Sequence, residues 1–341
     1  MNKLLATLPP ALKKNIRKKR MPSFEQPMLA TLTKNYFSDK NWIYEHKFDG
    51  VRCLLFKNKN SYTAKSRNNN ILNNTYPELI DALKQLKVDQ IILDGEIVTF
   101  GRKASSFEKL QQRIGVKNPS AALMKKIKIY IYIFDILYLD GYDLTKLPLL
   151  ERKRILKRAI TFKPPLRYTV HKSTHGISLF KHACKKGWEG VIAKHKESAY
   201  IHKRSQNWLK FKCVQEQELV IAGYTEPERS RIGFGALLVG YYKGNKLMYA
   251  GKVGTGYNDD FLTTFIKKLQ RAEIKTNPFA NKHAIKDKKA HFVSPKFVGE
   301  FGFEEWTKDN KLRHPRFLGM RYDKNPKKVV KETPKNIIPK S

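Results

Sequence analysis

A lysine set in an apolar strand pattern is the feature that most constrains this chain. Glu45-His46-Lys47-Phe48-Asp49-Gly50-Val51-Arg52 lies between Trp42-Ile43-Tyr44 and Cys53-Leu54-Leu55-Phe56. The pattern predicts a strand interrupted at Asp49-Gly50, a turn-forming pair. Carrying an ammonium toward an interior is costly. Such a lysine either pairs with a carboxylate or loses its proton, and a neutral amine is a nucleophile. The competing reading is a solvated lysine on a half-exposed strand, so the choice rests on the rest of the chain.

The same arrangement recurs three times: a charged residue beside or near glycine or tryptophan, in an otherwise apolar run. Asp94-Gly95-Glu96 follows Ile91-Ile92-Leu93, Glu189-Gly190 opens Val191-Ile192-Ala193-Lys194, and Trp208-Leu209-Lys210-Phe211-Lys212 is the last. Charges from four separate strands are hard to satisfy unless they converge. Two carboxylates and several lysines around one cleft suit a phosphate and a hard cation.

Charge points the same way. The 341 residues hold 68 Lys and Arg against 30 Asp and Glu, a net charge of +38. An excess of that size persists when an anionic partner offsets it, with nucleic acid ahead of an anionic membrane surface. No apolar run reaches the roughly 18 residues of a membrane-spanning helix, and there is no signal-peptide core. Cys53, Cys184 and Cys213 are few and far apart. A disulfide framework or a cysteine-rich zinc site is therefore not expected, and a reducing compartment fits.

The chain reads as two folded regions with basic ends. Residues 1–27, with Lys13, Lys14, Arg17, Lys18, Lys19, Arg20 and four prolines, are expected to be a mobile basic segment. It suits a targeting segment or, in keeping with the rest of the chain, a DNA-touching arm. Residues 28–213 alternate strands and helices, with Ile91–Val98 expected as a strand broken at Asp94-Gly95. Ser105 or Ser106 is expected to cap a short helix starting at Phe107. Residues 214–324 give short, closely spaced strands and one helix, as a small β-barrel would. Residues 325–341 are Lys- and Pro-rich and expected to be loose.

At this point Lys47-Phe-Asp49-Gly50-Val-Arg52 resembles the KxDGxR element of the covalent nucleotidyltransferases, the superfamily of DNA ligases, RNA ligases and mRNA capping enzymes. Five further elements follow in the superfamily's order: Ser66-Arg67-Asn68, Asp94-Gly95-Glu96, Phe134-Asp135 within Ile133–Tyr138, Glu189–Lys194 with Trp208–Lys212, and Arg313–Lys324. Within the superfamily the chain is most similar to ATP-dependent DNA ligases, especially the ligase module of bacterial end-joining enzymes. The stretches that say so are Pro27–Leu32, Gly235–Tyr242, Gly251–Gly256 and Leu312–Phe317.

The resemblance implies an α+β adenylation (nucleotidyltransferase) domain built on antiparallel sheets, followed by an OB-fold β-barrel domain. It implies ATP and Mg²⁺ as cofactors and Lys47 as the nucleophile that becomes lysyl-AMP. Glu45 would meet the adenine through its backbone region and Phe134 would stack on it. Arg52, Arg67 and Glu96 would hold the ribose and phosphate side. Glu96 and Glu189 would hold the metal, and Lys210 and Lys212 the α-phosphate. Arg204 would touch the nucleotide, with a solvated or DNA-facing role as the competing reading. Arg316, Arg321 and Lys324 would orient pyrophosphate. Asp49 and Asp94 are read as structural. The implied substrate is nicked or broken duplex DNA, handled by a monomer in a bacterial, nucleoid-associated cytoplasmic setting, with a DNA-end-bridging protein such as Ku as a partner. An RNA ligase or capping guanylyltransferase, and a basic DNA-binding protein without activity, are the alternatives.

Overall fold

In the computed structural model the strand bearing the lysine is Trp42–Lys47, and the chain turns through Phe48–Gly50 into Val51–Asn58. The structure describes residues 2–101, 106–213, 215–228, 231–285, 287 and 289–334. Gly50 is required at the turn: a Cβ there would lie 2.1 Å from the Ile97 carbonyl oxygen. The two strands then diverge into different sheets. Trp42–Lys47 lies in a five-stranded sheet ordered His171–Ser173, Trp42–Lys47, Gly190–His195, Arg204–Lys212, Leu29–Leu32. Val51–Asn58 lies in a seven-stranded sheet, between Gln90–Val98 and Ser61–Ser66, with Tyr130–Leu139 on the far side of Gln90–Val98. Both sheets are antiparallel except for one parallel pair each. The described chain forms two compact units, the first ending at Cys213 and the second running to Thr333.

Alternation decides what each strand of the first unit presents. In Tyr130–Leu139, Ile131 and Ile133 are fully buried in the main core, while Tyr130, Tyr132 and Phe134 take the opposite face. Asp135 fixes this strand from below. Its carboxylate accepts two bonds from the Arg152 guanidinium, at 2.8 and 2.9 Å, with both groups fully buried. Arg152 also donates to the Leu147 and Ser198 carbonyl oxygens. Helix Leu149–Ala159 buries Leu149, Arg152, Lys153, Ile155 and Leu156, so its inward face carries two cations at helical spacing.

Three expectations about the first unit need correction. The Asp94-Gly95 pair does not break its strand, which runs unbroken from Gln90 to Val98. Glycine serves close packing there, since a Cβ on Gly95 would lie 2.9 Å from Ile131 Cγ1 and from the Tyr132 carbonyl oxygen. The N-terminal segment is not mobile. Helices Lys3–Ala6 and Pro10–Lys13 form, strand Arg17–Lys18 pairs with Tyr142–Asp143, and Leu5 and Leu8 join the main core. Their apolar side chains hold the segment down despite the basic residues around them. Cysteine spacing also misled: Cys184 and Cys213, 29 residues apart, form a disulfide with Cα atoms 5.2 Å apart. Helix Gly176–Lys185 packs against the Gly190–His195 strand, beside the end of Arg204–Lys212, and so brings Cys184 to Cys213. Cys53 is buried and unbridged.

The second unit is a six-stranded antiparallel sheet with helix Asp259–Gln270, the inventory of an OB-fold unit. Asn258 caps the helix by accepting from Phe261 N at 2.9 Å, and Leu262, Phe265 and Leu269 enter a core with Phe234, Phe301 and Phe317. Residues beyond Asn325 are not all loose. Pro326–Lys328 form a 3₁₀ turn and Val329 is buried. Residues 335–341, like Ser105, lie outside the described part, and Ser106 is the observed cap of helix Phe107–Gln111. No helix among the described residues is long and apolar enough to cross a membrane.

Removing one half of a buried ion pair strands the other charge, which costs about 3–5 kcal/mol. Asp135→Ala should therefore lower unfolding stability by about that amount in urea titration. The double variant Asp135→Ala/Arg152→Met should lose less than Asp135→Ala alone.

Candidate active site

Lys47 ends its strand, and its Nζ pairs with the Glu189 carboxylate. The sequence reading of a pairing partner is thus met by a residue 142 positions away. Gly190 lies opposite Lys47 across the sheet, which brings Glu189 alongside. Gly190 has φ +152° and lies against the Phe211 carbonyl oxygen, which an added Cβ would meet at 1.9 Å. On the next strand Lys212, opposite Gly190, puts its Nζ 3.5 Å from the same carboxylate. Burial works against charge on Glu189, but Lys47, Lys212 and Lys210 hold its carboxyl below the ordinary carboxylate value.

Two residues earlier, on the same strand face, Glu45 is 2% exposed. Its carboxylate sits between Lys153, from the helix, and Lys194, whose Nζ is 2.7 Å away. Burial opposes this charge too, and the two lysines overcome it, so the Glu45 pKa is lowered. Lys153 also donates to the Thr169 and Phe134 carbonyl oxygens at 3.1 and 3.4 Å. Lys194 reaches across to the other sheet, with its Nζ 4.2 Å from the Phe134 ring centroid and 3.9 Å from that of Trp208. Burial pushes Lys194 down to about 8, with Lys153 adding to the effect and Glu45 and Asp135 opposing it.

The seven-stranded sheet supplies the opposite wall. Arg52 makes a two-pronged bond to Asp94, at 2.6 and 2.7 Å, and its guanidinium carbon is 4.6 Å from the Phe134 centroid. Tyr200 donates to the same carboxylate at 2.7 Å and accepts from Met28 N at 2.9 Å. Asp94 is therefore structural, as expected, and holds Arg52 against Phe134. Glu96 stands opposite both Arg52 and Tyr132 on neighbouring strands. Arg67 lies within a tight turn in which Ser66 Oγ accepts from Asn68 N and Asn70 N. Arg204 is exposed and donates to the Ala30 carbonyl oxygen at 2.5 Å.

Lys47, Glu45, Arg52, Glu96, Phe134, Lys210 and Lys212, with Glu189 just before its strand, thus belong to two sheets that meet through Phe134, Lys194 and Trp208. Arg321 and Lys324 belong to the second unit. There Arg321 is buried, bonded twice to Asp323 at 2.9 Å and lying 3.4 Å from Glu300, and Lys324 is 2.5 Å from Glu218. Among the described residues no three His, Cys, Asp or Glu side chains gather as a metal cage. Glu189 is engaged by Lys47 and Lys212, and Glu96 lies on the other sheet; carboxylates are donors suited to a hard cation that also takes substrate phosphate.

Residues 27–212 match the family model for the ATP dependent DNA ligase domain, and residues 230–324 match the ATP dependent DNA ligase C terminal region. The chain belongs to the ATP-dependent DNA ligase family. Over 321 residues it is 32% identical to the multifunctional non-homologous end joining protein LigD of Pseudomonas aeruginosa, spanning 92% of this chain and 37% of that protein. It is 31% identical over 316 residues to DNA ligase 2 of Methanosarcina acetivorans, spanning 84% and 52%. The chain therefore spans about half or less of the length of these curated relatives. Among solved structures it resembles a mycobacterial DNA ligase D complexed with ATP and MES, with TM-score 0.63, 30% identity, and 90% and 98% of the two chains covered. The six sequence elements all lie within the matched regions of this ligase-family chain.

Sequence reasoning did not assign Lys153 or the Lys194 side chain to the site. Lys153 was within reach of a periodicity argument, since Leu149, Arg152, Lys153 and Leu156 share one helix face. Its lowered pKa makes Lys194 testable. Between about pH 8 and 10.5 the unfolded chain binds a proton at this residue that the folded chain has lost, so its contribution to stability rises with pH across that window and is lost as pH falls through 8. Urea titrations at pH 8 and pH 10 should show a smaller rise for Lys194→Met than for the parent.

Proposed function

We propose that the chain is an ATP-dependent DNA ligase that seals 5′-phosphate/3′-hydroxyl breaks in duplex DNA through a lysyl-AMP on Lys47. The observation that carries this reading is the partly buried Lys47–Glu189 pair with Lys212 beside it. An amine attacks only with its lone pair free, and Glu189 is the group that hydrogen bonds it. The Nζ lone pair forms a bond to the α-phosphorus while the bond to pyrophosphate breaks, and the Nζ proton passes to the Glu189 carboxylate it already donates to. Lys210 and Lys212 neutralise the α-phosphate oxygens, since phosphoryl transfer is largely positioning and charge neutralisation. Phe134 is buried, with Arg52 and Lys194 over its ring, and the stacking of adenine on it rests on the sequence resemblance alone. Glu45 supports that position through its strand, its side chain being committed to Lys153 and Lys194. Arg67, Glu96 and Arg204 are proposed on the ribose and phosphate side.

Glu96 and Glu189 fit Mg²⁺, which takes one or two carboxylates together with substrate phosphates and would supply charge neutralisation at the phosphates when bound. In the second step the 5′-phosphate at the break displaces Lys47 from AMP. In the third the 3′-hydroxyl displaces AMP and the strand is closed. The assignment of Arg316, Arg321 and Lys324 to pyrophosphate rests on the sequence resemblance alone. The LigD relatives are named for non-homologous end joining, and break joining with an end-bridging protein such as Ku is proposed on that ground, in a cytoplasmic, nucleoid-associated setting.

Gel assays of nick sealing test the reading. Lys47→Ala should reduce sealing by at least about 10⁴-fold, the scale seen when a covalent nucleophile is removed. Sealing by the variant at the parent rate, or labelling of the protein by GTP and not ATP, would overturn it. DNA binding should also weaken steeply with salt, with a log–log slope of about −4 or steeper, since each neutralised phosphate contributes about −0.9. A flat response, read by fluorescence anisotropy, contradicts a phosphate-contacting surface.

A further inference from the structure

A pocket of about 370 Å³ opens on the first unit beside Tyr132. That is within the size range of small-ligand sites. Phe100, Tyr130 and Tyr132 supply aromatic surface, and Lys126, Lys128 and Arg167 are among its basic residues. No carboxylate is among the described residues that line it. Tyr130 and Tyr132 share a sheet face with Phe134. Phe48, next to Lys47, has its ring 4.1 Å from that of Tyr132, which lies 5.9 Å from Phe100. Arg167 pairs in register with Tyr132, and its guanidinium carbon is 5.4 Å from the Tyr130 ring. The Lys128 backbone is held by Thr99 Oγ1 at 2.7 Å, while its side chain is exposed.

We propose that this pocket binds one unpaired nucleotide of a single-stranded extension at the break, with the base on the tyrosines and the phosphate on Lys126, Lys128 and Arg167. The proposal rests on the ligase reading for its choice of DNA. Three features favour an unpaired strand over duplex. The site is concave, it is sized for a single small ligand, and it offers ring faces. A base inside a duplex has its faces covered by its neighbours, whereas an unpaired base is free to stack on protein rings. The surrounding cations track the backbone without reading sequence.

The test uses the full chain and fluorescence anisotropy on two probes, a nicked duplex and the same duplex with a short oligothymidine extension at the nick. The parent should bind the extended probe more tightly. Tyr130→Leu, which changes no charge, should weaken binding of the extended probe by about fivefold or more, the scale of losing one base–aromatic stack. It should leave the flush nick unchanged. Lys126→Gln/Lys128→Gln, at exposed positions, should remove the same preference and guards against a folding defect in the tyrosine variant. Absence of any gain from the extension in the parent overturns the proposal, as does equal loss on both probes in both variants. Displacement of the extension by free dAMP at equal concentration would make this a mononucleotide site and overturn the strand assignment. Labelling with ATP, read separately, decides whether Lys47 is adenylated, so failure of the ligase reading and failure of this pocket give different results.

Discussion

Glu45 is buried two residues from Lys47, and its carboxylate is held by ammonium groups from a helix and from a neighbouring strand. A lone buried carboxylate would take up a proton and disrupt its surroundings, so Lys153 and Lys194 must be in place for this strand to exist as seen. Lys194 in turn lies on Phe134 and Trp208, from the two different sheets. One polar cluster therefore fixes the relation between the sheet that carries Lys47 and the sheet that carries Arg52, Glu96 and Phe134. Beneath it, Asp135 and Arg152 lock the Phe134 strand to the same helix that supplies Lys153. These pairs set position more than they add stability, because burying ions costs about as much as pairing them returns.

Much of this was legible in the sequence, for a physical reason. A charge in a buried strand must be answered by another charge, so charges recurring beside glycine in apolar runs predicted a convergence. Lys47 did find Glu189, and the family resemblance gave the order of the elements. What the sequence hid were partners supplied by tertiary contact alone. Lys153 sits among Arg152, Arg154, Lys157 and Arg158, and only its helix face sets it apart. The Cys184–Cys213 bond was invisible because spacing along the chain says little about distance once a helix folds back. Net charge misled at the N-terminus, where Leu5 and Leu8 outweigh the basic residues around them and dock the segment. Asp94-Gly95 read as a break in its strand, though its glycine serves strand packing.

The net charge of +38 now divides by role. Some cations are internal and answered by carboxylates: Arg52, Arg152, Lys153, Lys194 and Arg321. Others, such as Lys126 and Lys128, remain on the surface, where they form the electrostatic footprint of a polyanion. The aromatic row from Phe48 through Tyr132 to Phe100 gives part of that surface a stacking function as well as charge.

The central claim is that Lys47 is the residue that carries AMP. Peptide mapping by mass spectrometry, after incubation with ATP and Mg²⁺ in the absence of DNA, tests it most directly. The account predicts AMP on the peptide bearing Lys47, with pyrophosphate released in equal amount. AMP on Lys194, Lys210 or another lysine, or a Lys47 peptide that stays unmodified, would contradict it.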